Sequence, residues 1–135
     1  MRKKQNIYKS SEYIYIKDDE KRKAKRKECN IYIHYPRVNN KSIYENYGED
    51  LAKMEVVDIS KFGVKLKTKI ELKEDDFINF SLRLSEKPSF WCMAIVRRIE
   101  TYEGYFIVGC EFLSLTLEQM RDIEKYVLSI KEFLD

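Results

Sequence analysis

The sequence predicts a mainly β domain: a small six-stranded antiparallel β-barrel followed by one α-helix at its C-terminal end. Three observations carry this. Across residues 31–112, apolar side chains recur at every second position in short runs, the period of half-buried strands. Ten Tyr and seven Phe against four Gly and two Pro supply aromatic-rich strands with few breaks. Beyond residue 115 the apolar spacing changes to three and four. Strands that bury one face need closure or a second layer, and a barrel capped by a helix provides both.

Residues 1–20 read as a polar, basic extension with a short alternating patch, Tyr13-Ile14-Tyr15-Ile16, that allows one strand. Residues 21–27 (KRKAKRK) hold six basic side chains out of seven and no apolar face, so they are expected on the surface. The domain itself spans residues 21–135. Ile31, Ile33 and Tyr35 alternate with Tyr32 and His34 as a first strand, stopped by Pro36. Residues 39–50 (NNKSIYENYGED) form a polar loop. A strand over residues 54–59 enters the turn signal Ser60-Lys61-Phe62-Gly63. Val64, Leu66, Thr68 and Ile70 then face one way and Lys65, Lys67 and Lys69 the other. Ile78, Phe80, Leu82 and Leu84 repeat the pattern, and residues 90–99 and 105–112 pair as a hairpin around Glu103-Gly104. Trp91 and the tyrosines are assigned to the core or the barrel mouth. Leu117, Met120, Ile123, Val127, Ile130 and Leu134 mark a helix over about 116–134, with Thr116 and Gln119 as its capping box.

At 135 residues the chain has the length of one domain with one core. A hydrophobic fraction of 44% beside 36% charged residues suits a folded domain. The longest apolar run, residues 90–96, is too short to cross a bilayer. No apolar segment follows the basic start Met1-Arg2-Lys3-Lys4, so no signal peptide is expected. Cys29, Cys92 and Cys110 are odd in number and lack a CxxC pair, which fits reduced, mostly core thiols and a cytoplasmic protein. Residues 1–30 carry eleven Lys/Arg and five Asp/Glu, and the rest fifteen and eighteen, so a basic arm precedes a slightly acidic domain. An anionic partner would land on the arm.

Two local patterns carry chemistry. The first is the RxxxR of Arg22-Lys23-Ala24-Lys25-Arg26. An arginine fork can donate to guanine O6 and N7, its plane can stack on a base, and its charge neutralises phosphate. A solvated basic arm has the same composition. The second is the DxSxxG of Asp58-Ile59-Ser60-Lys61-Phe62-Gly63, at the junction of two strands. Asp58 can accept from guanine N1–H and its amine, Ser60 can donate or accept beside it, and Gly63 allows the backbone of a tight corner. An ordinary Asx or Ser turn uses the same residues.

Taken together, a basic RxxxR just before the first strand and a DxSxxG about thirty residues later resemble the PilZ domain family. The resemblance runs from Lys21 to roughly Tyr126 and includes the glycine-then-aromatic strand YFIVGCEF of residues 105–112 and the helix after it. It implies a cyclic di-GMP receptor and not an enzyme, with no cofactor. By the same resemblance Arg22 and Arg26 wrap the ligand's phosphates and guanines, and Asp58, Ser60 and Gly63 hold a guanine on the barrel. Lys21, directly before Arg22, is a further candidate contact. The family also implies an unidentified downstream protein in bacterial motility, exopolysaccharide synthesis or virulence control.

Two other function classes compete. A basic single-stranded nucleic-acid-binding barrel would use the arm and surface tyrosines, but no RNP or GXXG signature is present and DxSxxG is left without a role. A non-binding PilZ-like adaptor would use its helix for assembly. Metal or catalytic chemistry has little to work with: His34 is the one histidine, and no HExxH, GxSxG or Walker-type loop occurs. Arg97 and Arg98 are adjacent on a strand, so only one of them is expected to face a ligand.

Overall fold

A computed structural model describes residues 7–10, 13–16, 25–43 and 54–129. Within it ten strands and one helix follow in order. β1 (Ile7–Ser10) and β2 (Tyr13–Ile16) pair antiparallel as a small sheet of their own, two strands where the extension was expected to hold one. The large sheet is built from β3 (Lys27–Ile33), β4 (Arg37–Val38), β5 (Lys41–Ser42), β6 (Met54–Ser60), β7 (Gly63–Thr68), β8 (Phe77–Leu82), β9 (Phe90–Tyr102) and β10 (Tyr105–Phe112). Helix α1 (Leu117–Leu128) closes the series. Residues 130–135, the last turn of the expected helix, lie outside the described residues.

The strands hydrogen-bond in the order β3-β6-β7-β10-β9-β8-β4-β5, antiparallel throughout. The sheet curls so that β3 lies against β8, yet no ladder joins them, which leaves a half-barrel with a seam. The expected class holds, with eight strands in place of six. Of the two extra strands, β5 sits in the stretch read as a polar loop and β4 directly before it. Asn39 and Asn40 both take positive φ, 52° and 68°, and so supply the tight hairpin turn that lets β4 and β5 pair. The Asn39 side chain fixes this hairpin to β8 by accepting from Phe77 N at 2.9 Å.

The core is the inward set of the alternation. Val56, Ile59, Val64, Leu66, Phe80, Val96 and Val108 are fully or almost fully buried, and Ile123 of α1 joins the same core. At the helix start Thr116 Oγ1 accepts from Gln119 N, while Gln119 Oε1 accepts from Thr116 N, as the capping box required. The first strand departs from its reading. β3 begins at Lys27 and ends at Ile33, and Tyr35 turns away at φ 59° with 55% of its surface exposed. Trp91 is also no core residue: it stands 59% exposed on the outer side of β9.

Candidate functional site

The sheet's outer face carries the motif residues. Arg26 is the last residue before β3, and Asp58 and Ser60 end β6. Arg26 Nε donates to Asp58 Oδ2 at 2.9 Å, and Arg26 Nη1 reaches Ser60 Oγ at 3.4 Å. Ser60, fully buried, also accepts from Phe62 N at 3.1 Å and so holds the Lys61-Phe62 turn. Thus Arg26 of RxxxR meets Asp58 and Ser60 of DxSxxG, 32 and 34 residues away in the chain, at one corner. Arg22 and Lys21 lie outside the described residues.

Gly63 serves a different purpose from the one its turn position suggests. Its φ is not in the left-handed region; among the described residues Gly104, at φ 91°, is the glycine that is. A Cβ on Gly63 would instead stand 2.1 Å from the Cys110 carbonyl oxygen. The glycine is needed because β7 and β10 approach too closely for a side chain.

Asp58 sits at a break in the ladder. The β6–β7 register shifts between Val56 and Asp58, which turns the carboxylate outward beside Lys65. Its Oδ2 holds Arg26, whereas Oδ1 is buried and has no hydrogen-bond partner among the described residues. An orphaned acceptor of this kind is costly and invites a donor. Glu28, Asp58, Lys65, Gly109 and Arg98 are successive cross-strand neighbours in one row over β3, β6, β7, β10 and β9. Gly109 leaves a bare floor in the middle of that row, with Arg98 Cβ as the nearest atom to its missing side chain.

A second break overturns the expectation for Arg97 and Arg98. The β9–β10 register shifts between Gly109 and Cys110, so Arg97 is the bulged residue and both arginines are exposed. Both line a cavity of about 380 Å³ that also touches Arg26, Gly63 and Lys65. Arg97 is held by Glu111 at 2.9 Å and Asp75 at 3.4 Å. A wider groove of about 890 Å³ runs beside it past Arg26, Asp58, Lys65, Glu100 and Tyr102. Arg97 with Arg98, Lys65, Glu100 and Tyr102 were not picked out as a set by sequence motifs. Strand parity places Lys65 outward, but only the bulges bring the rest, Glu100 included, onto the same face.

Lys27 corrects the reading of residues 21–27 as wholly surface. It is 9% exposed, donates to Tyr126 O at 3.3 Å and Ser129 O at 3.1 Å, and lies 4.4 Å from the centroid of the Tyr126 ring. The end of α1 presents carbonyls and an aromatic face, which together satisfy a buried ammonium. Lys27 thereby pins the chain directly after Arg26. Below it, burial and then the Asp58 carboxylate push the Cys29 thiol up to about 11, so it stays protonated at neutral pH. Among the described residues no group of three or more His, Cys, Asp or Glu is placed to hold a metal, and no helix is long and apolar enough to cross a membrane.

Comparison with known proteins agrees with this fold. The family model of the PilZ domain matches residues 20–129. By sequence, no curated protein matches the chain. Among solved structures, the Bacillus subtilis inhibitor of motility MotI/DgrA superposes with a TM-score of 0.62 at 13% identity, over 90% of this chain and 54% of that one. MrkH of K. pneumonia gives 0.60 at 23% identity, over 82% and 48%. The PilZ domain of YcgR from Escherichia coli, solved with cyclic di-GMP, gives 0.58 at 12% identity, over 81% and 90%. The chain thus spans about half the length of the MotI and MrkH chains, and nearly all of the YcgR domain.

Proposed function

This chain belongs to the PilZ domain family, and from that premise we propose that it is a cyclic di-GMP receptor whose basic arm closes over the ligand. The observation that carries the reading is the corner where Arg26, Asp58 and Ser60 meet, with Asp58 Oδ1 lacking a donor. Guanine N1–H and its amine supply two donors in line, which suits the two oxygens of one carboxylate. The E. coli YcgR domain and MrkH, both solved with cyclic di-GMP, support the choice of ligand.

Arg26 occupies the carboxylate that the guanine would take. Binding is then an exchange. The base replaces Arg26 on Asp58, and the freed guanidinium turns its fork to guanine O6 and N7 or to phosphate. Arg22, four residues earlier, is expected to clasp the other side, with Lys21 as a further contact. Residues 17–27 contain one small apolar side chain, Ala24, and six adjacent cations that repel one another. A dianionic ligand relieves that repulsion, so the closed arm belongs mainly to the complex. The fixed arm then offers a downstream protein a surface absent before. The domain acts by binding and not by catalysis.

Calorimetric titration with cyclic di-GMP, GMP and a short oligonucleotide tests this. Saturable binding is expected for the cyclic dinucleotide, weakened by about 1–3 kcal/mol in Arg26→Ala. Arg26→Lys should restore little, since it keeps the charge and loses the fork. Equal affinity for the oligonucleotide, or wild-type binding by Arg26→Lys, would reduce the site to general anion attraction.

A further inference from the structure

Outside both motifs, the end of the β9–β10 hairpin carries a second set of groups that a base could use. Past the bulge at Arg97, strand β9 presents Arg98, Glu100 and Tyr102 to the exterior, opposite Gly109, Ile107 and Tyr105 of β10. Tyr102 OH donates to Glu100 Oε1 at 3.2 Å, and this bond, with the carboxylate's charge, holds the phenol protonated above its usual range. The Tyr102 ring stacks on Tyr105 with centroids 5.1 Å apart and planes 11° from parallel. Lys67 Nζ stands 4.7 Å from the Tyr105 centroid and steadies the pair from below. Tyr102 itself remains 46% exposed.

Glu100 is out of place on this face if its only task is to attract phosphate. Lys65, Lys67, Arg97 and Arg98 lie on the same face, and a carboxylate among them weakens the field that draws an anion. It is in place if a base must be read. Glu100, Tyr102, Lys65, Arg26 and Asp58 all line the same groove of about 890 Å³. Asp58 on β6 and Glu100 on β9 are three ladders apart, about 14 Å at roughly 4.8 Å per strand. A mononucleotide can reach one carboxylate and not both.

We infer that Glu100 and Tyr102 form a second base-reading subsite, selective for guanine, so that the two bases of one cyclic dinucleotide are read at opposite ends of the groove. This rests on the cyclic di-GMP reading above. Tyr102 is the stacking platform, and stacking accepts any base because every base has a π-face. Glu100 supplies the selection. It accepts from guanine N1–H and the exocyclic amine, whereas adenine turns the N1 lone pair toward it and is repelled. Lys65, between the two ends, faces the phosphates.

The test is calorimetry on the full chain with cyclic di-GMP and with cyclic GMP–AMP, the same ring with one guanine replaced by adenine. The mixed dinucleotide can still place its guanine on Asp58, so the part of the preference that Glu100→Ala removes reports the second subsite. Wild-type protein is expected to favour cyclic di-GMP by about tenfold or more, the discrimination of one good hydrogen-bonded pair. Glu100→Ala should reduce that preference to within about threefold, and Tyr102→Ala should weaken both ligands alike by about tenfold. Unfolding curves on the same samples check that both variants are folded. An unchanged preference in Glu100→Ala, or wild-type affinity for both ligands in Tyr102→Ala, overturns the subsite alone. Wild-type protein that binds neither dinucleotide overturns the receptor reading and the subsite with it.

Discussion

The two faces of the strands β6, β7, β10 and β9 obey different rules. Inward, Val64, Leu66, Val108 and Cys110 keep strict alternation and are buried, and Val56, Ile59 and Val96 stay buried on either side of the breaks. Outward, Asp58, Lys65, Gly109, Arg97 and Arg98 follow alternation only until it breaks, once at Val57 and once at Arg97. The breaks lie where the ligand chemistry is. Regular pairing stabilises the inner face by keeping every apolar group dry, and each bulge re-aims an outer side chain at a modest local cost. The core is therefore written in the period, and the site in departures from it.

Gly63 is where the two faces are hardest to separate, and substitution there should have the largest effect. A Cβ at this position meets backbone, the Cys110 carbonyl oxygen at 2.1 Å, which cannot swing aside as a flexible side chain could. Gly63→Ala should lower stability by about 1–3 kcal/mol, the usual cost of overpacking. Cyclic di-GMP affinity should fall as well, because the same turn fixes Ser60 and Asp58. Urea unfolding and titration on one variant read both. Near wild-type stability would mean that β7 and β10 part locally and that the faces are less coupled than their register implies.

The same contrast explains what the sequence made legible. Val64 to Ile70 and Ile78 to Leu84 announced their buried sets because a one-residue slip would expose every apolar side chain at once. The RxxxR and DxSxxG motifs pointed to Arg26, Asp58 and Ser60, which do meet. The bulge at Arg97 left no such mark, since inserting one residue changes parity without changing composition. Lys27 was hidden for another reason. It ends the basic run KRKAKRK, and its acceptors, Tyr126 O and Ser129 O, come from the far end of the chain. The Asn39-Asn40 turn could have been read as a hairpin, but strands of two residues give alternation nothing to act on. Gly63 was assigned correctly to the turn for the wrong physical reason.

A pH series sharpens the comparison from the inner side. Burial pushes the Cys110 thiol up to about 12 from 9.0, and burial also raises Cys92. In the unfolded chain both ionise near their ordinary value, so above pH 9 the folded state binds more protons than the unfolded one. Stability is then fully present below about pH 9 and is lost as pH rises toward the folded value, by up to about 1.4 kcal/mol per pH unit for each thiol. Urea midpoints between pH 8 and roughly 10.5 should show this decline. Cys110→Ala should make the decline shallower by one thiol's share, after an initial loss from the small cavity, with Cys92 and Cys29 carrying the remainder. A slope unchanged in that variant would trace the alkaline loss to other groups.

The smallest effect on stability is expected from the residue with the largest stake in binding. Asp58→Ala removes a partly exposed ion pair with Arg26, whose side chains are 41% and 18% exposed, and such pairs contribute about 0–1 kcal/mol. Against this, the substitution also removes Oδ1, a buried oxygen with no partner, and an unsatisfied buried acceptor costs about 1–3 kcal/mol. The two changes oppose each other, so the unfolding midpoint should stay near that of the wild type or rise. Cyclic di-GMP binding should fall by about 1–3 kcal/mol, although the variant is one unit more positive and should hold a simple polyanion better. Outer-face residues kept for a ligand carry such a signature: stability and function move apart. Improved cyclic di-GMP affinity in Asp58→Ala would show attraction without base reading. A loss of stability comparable to that of Gly63→Ala would make Asp58 a structural residue, and the two faces would then share one rule.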